Sequence, residues 1–167
     1  MNLPHFSRIL FICLIFTTRL YSQNFTFEYI NPDILYTKIK RSQKASVIQY
    51  WVPSCPSAEQ KLAEYSRLVN LYGESVDFYF IGLTKNINLP EGVSKHSKLN
   101  SSIYLLDTLI FGADLFDKKK NFNLEVMKHF GNKRQKDFIT AYIDEKSGKY
   151  SNNLKIDEKR IKKMLKR

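Results

Sequence analysis

The stretch Tyr50-Trp51-Val52-Pro53-Ser54-Cys55-Pro56-Ser57-Ala58 joins two segments with different patterns. Residues 45–51 before it are mostly apolar and favour a strand, whereas apolar side chains recur at helical spacing after it, up to Gly73. Cys55 is therefore predicted to lie at a strand-to-helix turn. The first turn of a helix has unpaired N–H groups and the positive end of the helix dipole, and both favour a thiolate, the reactive form of cysteine. The alternative is that Cys55 is a small buried apolar residue.

The remainder of the chain alternates between strand and helix patterns. Residues 76–83 are an almost continuous apolar run, which is typical of a buried parallel strand. Gly112 weakens a helix pattern over 108–117. This alternation predicts an α/β sheet with helices on both faces. The strands are predicted over 24–30, 47–51, 76–83, 103–106, 138–144 and 150–154, and the clearer helices over 32–40, 56–72, 123–130 and 157–167.

The first 23 residues are predicted to be a secretory signal peptide. Arg8 precedes a short apolar run over residues 9–16, and a polar stretch over 17–23 follows. Removal of this segment takes Cys13 with it, so Cys55 is the single cysteine of the exported domain, residues 24–167. The prediction is an extracytoplasmic protein, periplasmic or secreted, with no transmembrane span after signal removal. One cysteine cannot form an internal disulfide in that oxidising environment.

The charge pattern indicates a solvated basic surface. The chain has 27 Lys and Arg against 16 Asp and Glu, a formal net charge of +11, with clusters at 118–120 and 155–167. None of these basic residues is interleaved with aromatics in a known nucleic-acid motif, so no nucleic-acid partner is expected. His96 and His129 lack metal-ligand spacing, one cysteine cannot build a zinc cluster, and no glycine-rich phosphate loop occurs. We therefore expect no metal and no cofactor.

The pattern around Cys55 resembles the thioredoxin superfamily, in particular the exported thiol–disulfide oxidoreductases of bacteria. That family has a strand ending in an aromatic residue and tryptophan, followed by Cys-x-x-Cys at the start of a long helix. Here Tyr50 and Trp51 match the strand end, and Cys55-Pro56 matches the helix start; residues 139–148 resemble the family's later strand and hairpin. The resemblance implies a thioredoxin-like three-layer α/β/α sandwich with a mixed central sheet, in which Cys55 is the attacking nucleophile. The supporting positions around it are Trp51, Pro56, Ala58 and Phe138.

Three positions depart from the family pattern. Ala58 stands where the family has its second cysteine, and Gln49 stands where it often has an acidic residue. Phe138, or Asp137 if the alignment shifts by one residue, stands near the family's cis-proline. In the family, the second cysteine resolves the mixed disulfide, the acid helps to move its proton, and the cis-proline shapes the substrate groove. Peroxiredoxins are a related alternative, but they need a threonine where this chain has Val52.

Two functions follow from these observations and both stay open. In the first, Cys55 carries single-cysteine thiol–disulfide exchange, and an external thiol releases the mixed disulfide. In the second, the chain is a redox-inactive thioredoxin-like binding module in which Cys55 is a relic, as the changes at Gln49, Ala58 and Phe138 suggest. The expected partners are other exported proteins, which would bind through a mixed disulfide or through a surface groove.

Overall fold

The computed structural model describes residues 27–86, 101–106, 114–131, 137–144, 149–153 and 155–166, together with Asn88, Pro90, Gly92 and Leu99. The predicted signal peptide, most of the weak helix over 108–117 and the predicted turn at 145–148 lie outside these residues. The strands are β1 (Phe27–Ile30), β2 (Ala45–Trp51), β3 (Val76–Gly82), β4 (Ile103–Leu106), β5 (Thr140–Asp144) and β6 (Lys149–Asn153). The helices are α1 (Pro32–Ser42), α2 (Ala58–Tyr72), α3 (Leu115–His129) and α4 (Glu158–Leu165).

The six described strands form one sheet in the order β1-β4-β3-β2-β5-β6. The strands from β1 to β2 in that order pair in parallel, whereas β5 pairs antiparallel with both β2 and β6. The predicted mixed sheet is therefore confirmed. β2 lies inside the sheet with a hydrogen-bonded neighbour on each side, so the residues that follow it start from a strand that is fixed along both edges.

Each face of the sheet is covered by two of the described helices. Successive side chains of a strand point to opposite faces, and β2 follows this rule. Ile48 and Tyr50 pack with apolar residues of α1 and α3. Val47 and Trp51 pack on the other face with apolar residues of α2 and α4. The structure is the three-layer α/β/α sandwich that the sequence predicted.

The starts of α3 and β5 differ from the prediction. α3 is one helix from Leu115 and does not begin at Asn123, because the Asp114 side chain caps it by accepting hydrogen bonds from the N–H groups of Phe116 and Asp117 at 2.8 and 3.2 Å. β5 begins at Thr140 and not at residue 138, because the Phe138 carbonyl accepts hydrogen bonds from Lys119 and Asn123 of α3.

Glu158 of α4 is hydrogen-bonded to side chains of α2. Its carboxylate accepts hydrogen bonds from the Tyr72 hydroxyl at 2.6 Å, from Arg67 at 3.0 Å and from Lys162 at 3.0 Å. These bonds, that of Tyr72 most of all, lower the pKa of Glu158 from 4.5 to about 2. Because the folded pKa is the lower one, the stabilisation is present above pH 4.5 and is lost as the pH falls toward 2.

Candidate thiol site

A short turn at the carboxyl end of β2 carries Cys55. The N–H of Cys55 donates to the carbonyl of Val52 at 3.0 Å, and the N–H of Ala58 donates to the carbonyl of Cys55 at 2.9 Å. α2 begins at Ala58, two residues later than the predicted start at Pro56, with Ser57 as its N-cap residue. Cys55 therefore lies in the turn before the helix and not within its first turn.

The thiol of Cys55 is free and partly exposed. Its Sγ lies 3.3 Å from the hydroxyl oxygen of Ser57. Hydrogen bonds from the Ser57 hydroxyl and then from the Ser57 N–H lower the pKa of Cys55 below its ordinary value of 9.0, and the positive charge of Lys61 acts in the same direction. Partial burial acts against them but does not reverse the shift. The site therefore favours the thiolate. The groups that stabilise it belong mainly to Ser57, the N-cap residue of α2, because Cys55 itself lies outside the first turn of that helix.

Ser57→Ala is expected to raise the pKa of Cys55, because the Ser57 hydroxyl makes the largest contribution to the shift. The rate of alkylation of Cys55 at neutral pH should then fall severalfold, and its pH profile should move to higher pH. Ser54→Ala is the matched control, since Ser54 is an exposed serine of the same turn. Identical pH profiles for the wild type and Ser57→Ala would show that Ser57 does not set the reactivity of the thiol.

The turn is supported from both faces of the sheet. Trp51 and Ala58 are 1% and 2% exposed, and both belong to the apolar cluster on the α2 side. Val52 packs against the cluster on the opposite side. Pro56 is exposed beside Cys55. The predicted supporting residues Trp51, Pro56 and Ala58 therefore all belong to this turn or its flanks, whereas their contribution to reactivity stays a prediction.

The Trp51 indole N–H is buried without a hydrogen-bond acceptor among the described residues. The indole lies over β3, where Gly82 pairs with Trp51 in the sheet. A Cβ atom on Gly82 would stand 3.7 Å from the indole nitrogen and 3.0 Å from Leu105 Cδ2. A side chain at Gly82 would therefore crowd Leu105, whereas it would meet the indole only at an ordinary van der Waals distance.

Gln49 and Phe138, the other two positions that depart from the family pattern, are both buried. The Gln49 amide donates to the carbonyl of Tyr50 at 2.6 Å, and its side-chain oxygen accepts a hydrogen bond from the Thr140 hydroxyl. Phe138 packs against Tyr50, with 5.7 Å between the ring centroids. No cis peptide bond occurs in the described ranges. These residues make structural contacts within the sheet and core.

The structure corrects the interpretation of the lysine cluster at 118–120. Lys118 and Lys119 are each only 3% exposed, so they are not part of a solvated surface. Lys119 binds the segment just before β5. Charge composition could not reveal this, because the direction of each lysine depends on where α3 begins, and the sequence pattern placed that start eight residues too late.

Of the two histidines singled out in the sequence, the structure describes only His129. No group of three or more His, Cys, Asp or Glu residues that could hold a metal occurs among the described residues. His96 lies outside them. His129 stacks on Tyr36 at 4.7 Å between ring centroids, and its Nε2 lies 2.9 Å from Asp33 Oδ1, so it joins α3 to α1. Within the described ranges, no helix is long and apolar enough to span a membrane.

The chain has a thioredoxin-like fold. β2 ends in Tyr50 and Trp51, Cys55 lies in the following turn, and the long helix α2 comes next. β5 and β6 pair as an antiparallel hairpin after α3. The elements on which the sequence resemblance rested are therefore present, in a mixed sheet with two helix layers. The predicted superfamily resemblance is confirmed at the level of the fold.

No protein-family model and no curated protein matches the chain. Similar solved structures include a thioredoxin-related protein from Neisseria meningitidis serogroup B, with 20% identity, 73% of this chain and 82% of that chain covered, and a TM-score of 0.48. A provisionally named thiol–disulfide oxidoreductase from Bacteroides vulgatus has 20% identity, coverages of 89% and 91%, and a TM-score of 0.48. StoA from Bacillus subtilis has 17% identity, coverages of 74% and 83%, and a TM-score of 0.44. The fold class is assigned from the strand order and the helix layers and not from these likenesses, whose TM-scores are all below 0.5.

Proposed function

We propose that this protein carries out single-cysteine thiol–disulfide exchange through Cys55. The observation that carries the proposal is a partly exposed thiol whose pKa is lowered by hydrogen bonds from Ser57 and by the charge of Lys61. A lowered pKa increases the thiolate fraction at neutral pH, and the thiolate is the nucleophile in disulfide exchange. A buried structural cysteine would have a raised pKa instead.

The exchange step needs a partner disulfide. The thiolate of Cys55 attacks one sulfur of that disulfide, the S–S bond breaks, and the other sulfur leaves as a thiolate that takes a proton from water. The product is a mixed disulfide between Cys55 and the partner. Ala58 offers no thiol for an internal attack, so a second thiolate, from a small thiol or another protein, must attack the mixed disulfide and release Cys55.

The proposed place of action is outside the cytoplasm. This part of the proposal rests on the signal-peptide pattern of residues 1–23, whose removal leaves residues 24–167 with Cys55 as their single cysteine. Partner disulfides persist in that environment and are rare in the cytosol. The exported partners would be proteins that carry an accessible disulfide.

A redox-inactive binding module is the second candidate. The observation in its favour is that Gln49 and Ala58, which replace an acid and a cysteine in the family pattern, are both buried, and that Gln49 is hydrogen-bonded within the sheet. In this case Cys55 would react slowly with disulfides, and partners would bind without a covalent bond.

Trapping of mixed disulfides from the extracytoplasmic compartment distinguishes the two candidates. Free thiols are blocked at harvest, and adducts are separated without reductant. We expect adducts in the wild type and in the Cys13→Ser control, and none in Cys55→Ser. The mass spectrum of the recovered protein should also show a new N-terminus near residue 24. Absence of adducts in the wild type would favour the binding module, and a retained Met1 would contradict export.

A further inference from the structure

A buried polar cluster joins α3 to the segment before β5. Lys119 donates to the two carboxylate oxygens of Asp137 at 2.5 and 2.6 Å and to the carbonyl of Phe138 at 3.3 Å. Asn123 donates to Asp137 Oδ1 at 2.6 Å and to the same Phe138 carbonyl at 3.2 Å. The Asn123 oxygen accepts a hydrogen bond from the Tyr50 hydroxyl at 2.7 Å. We call Lys119, Asn123 and Asp137 the Lys119 clamp.

Each polar side-chain atom of the two buried members of the clamp has a hydrogen-bond partner. Lys119 and Asn123 are 3% and 1% exposed. The three donors of the ammonium and the two donors of the amide can each be assigned an acceptor in the cluster. Burial of an ammonium is unfavourable unless it is paired, and such a pair adds little net stability compared with apolar side chains. A fully satisfied buried network instead holds its members in one arrangement.

The segment that the clamp holds also contacts the strand that leads to Cys55. The N–H of Tyr50 donates to the carbonyl of Ile139 at 3.0 Å. Phe138 belongs to the apolar cluster against which Val52 packs. The carbonyl of Val52 in turn accepts the N–H of Cys55 at 3.0 Å. The clamp therefore contacts Tyr50 of β2 both directly, through Asn123, and by way of Phe138, and the chain runs from Tyr50 into the turn of Cys55.

We propose that the Lys119 clamp positions the turn of Cys55 and thereby sets the reactivity of the thiol. Lys119 is then a positioning residue, since it acts through Phe138 and Tyr50 and does not touch the sulfur. The proposal rests on the proposed thiol–disulfide exchange. It explains why a lysine is buried where an apolar residue would also fill the core. The segment before β5 has no proline to restrict its backbone. The hydrogen bonds from Lys119 and Asn123 of α3 restrict it instead.

The test compares Lys119→Met with the matched control Lys128→Met in the full chain. Both substitutions remove one ammonium from α3, but Lys128 is an exposed residue paired with Glu125. The readout is the pH profile of Cys55 alkylation in protein shown to be folded. Lys119→Met should move the profile to higher pH and lower the rate at neutral pH about threefold or more, while Lys128→Met leaves it unchanged. A folded Lys119→Met with the wild-type profile would overturn the proposal.

Asp137→Asn separates positioning from a direct effect of charge and keeps the test decisive if Lys119→Met does not fold. The Asp137 side chain is half exposed, so the substitution is milder. Loss of a negative charge would by itself lower the pKa of a nearby thiol. If the clamp no longer holds the turn of Cys55 in place, the pKa of the thiol should instead rise. We expect the profile to move to higher pH; a move to lower pH, or none, would overturn the proposal. A wild-type profile centred at an ordinary thiol pKa would instead contradict the proposed function.

Discussion

Trp51→Ala is expected to lower the free energy of unfolding by about 3–5 kcal/mol, the usual cost of removing a large buried aromatic side chain. Trp51 is 1% exposed, and it packs in one cluster with Ala58 and Leu62 of α2. It also ends a strand that is hydrogen-bonded on both sides, so the surrounding backbone has little freedom to close the cavity. Chemical denaturation of the full-length variant measures the loss.

The indole N–H has no acceptor among the described residues, which places this loss toward the lower end of the range. A buried donor without an acceptor costs about 1–3 kcal/mol, and alanine removes that cost together with the ring. Trp51→Phe is the informative control, because it keeps most of the aromatic packing and also removes the donor. It should cost less than about 1.5 kcal/mol. A loss below about 1 kcal/mol for Trp51→Ala would mean that the indole contributes little to the core.

The positions of the strands along the chain could be predicted, because the local hydrophobic pattern and its length determine them. The apolar run over 76–83 became β3, and the short run over 103–106 became β4 at its predicted bounds. The sequence also placed Cys55 between β2 and α2. The neighbours of each strand in the sheet could not be predicted in the same way. The position of β4 between β1 and β3 depends on contacts between residues that are distant in sequence, and no local pattern encodes those contacts.

The polar contacts of the site could not be predicted for a related reason. Lys119 and Asn123 are four residues apart, so they share one side of α3, but only the packing of that helix shows which side is buried. Their acceptors lie on another segment, at Asp137 and Phe138. Ser57 lies in the segment between β2 and α2, yet its role as the main donor to Cys55 follows only from the turn geometry. Composition and spacing identify candidate groups, whereas their partners are set by the tertiary fold.

Ala58→Cys is expected to form an internal disulfide with Cys55. The hydrogen bond of 2.9 Å from the Ala58 N–H to the Cys55 carbonyl closes a four-residue turn, and such a turn brings its first and last Cα atoms within about 7 Å. A disulfide needs a Cα separation of about 4.4–6.8 Å, so the two positions are within reach. The buried site at Ala58 must admit one extra sulfur atom, which costs about 1–3 kcal/mol if the core does not relax.

The same substitution tests what limits the wild type as a catalyst. With one cysteine, each mixed disulfide waits for attack by the reducing thiol of the assay, so the wild type should turn over much more slowly than Ala58→Cys in a catalytic disulfide-reduction assay. Ala58→Cys should turn over faster, because the introduced thiol can attack the mixed disulfide from within the protein, and Ala58→Ser should not. The gain is limited by Gln49, whose neutral amide is hydrogen-bonded to the sheet and cannot accept the proton. If the disulfide does not form under oxidising conditions, the geometry assigned to the Cys55 turn is wrong; if the wild type already turns over as fast as Ala58→Cys, the missing second cysteine is not what limits it.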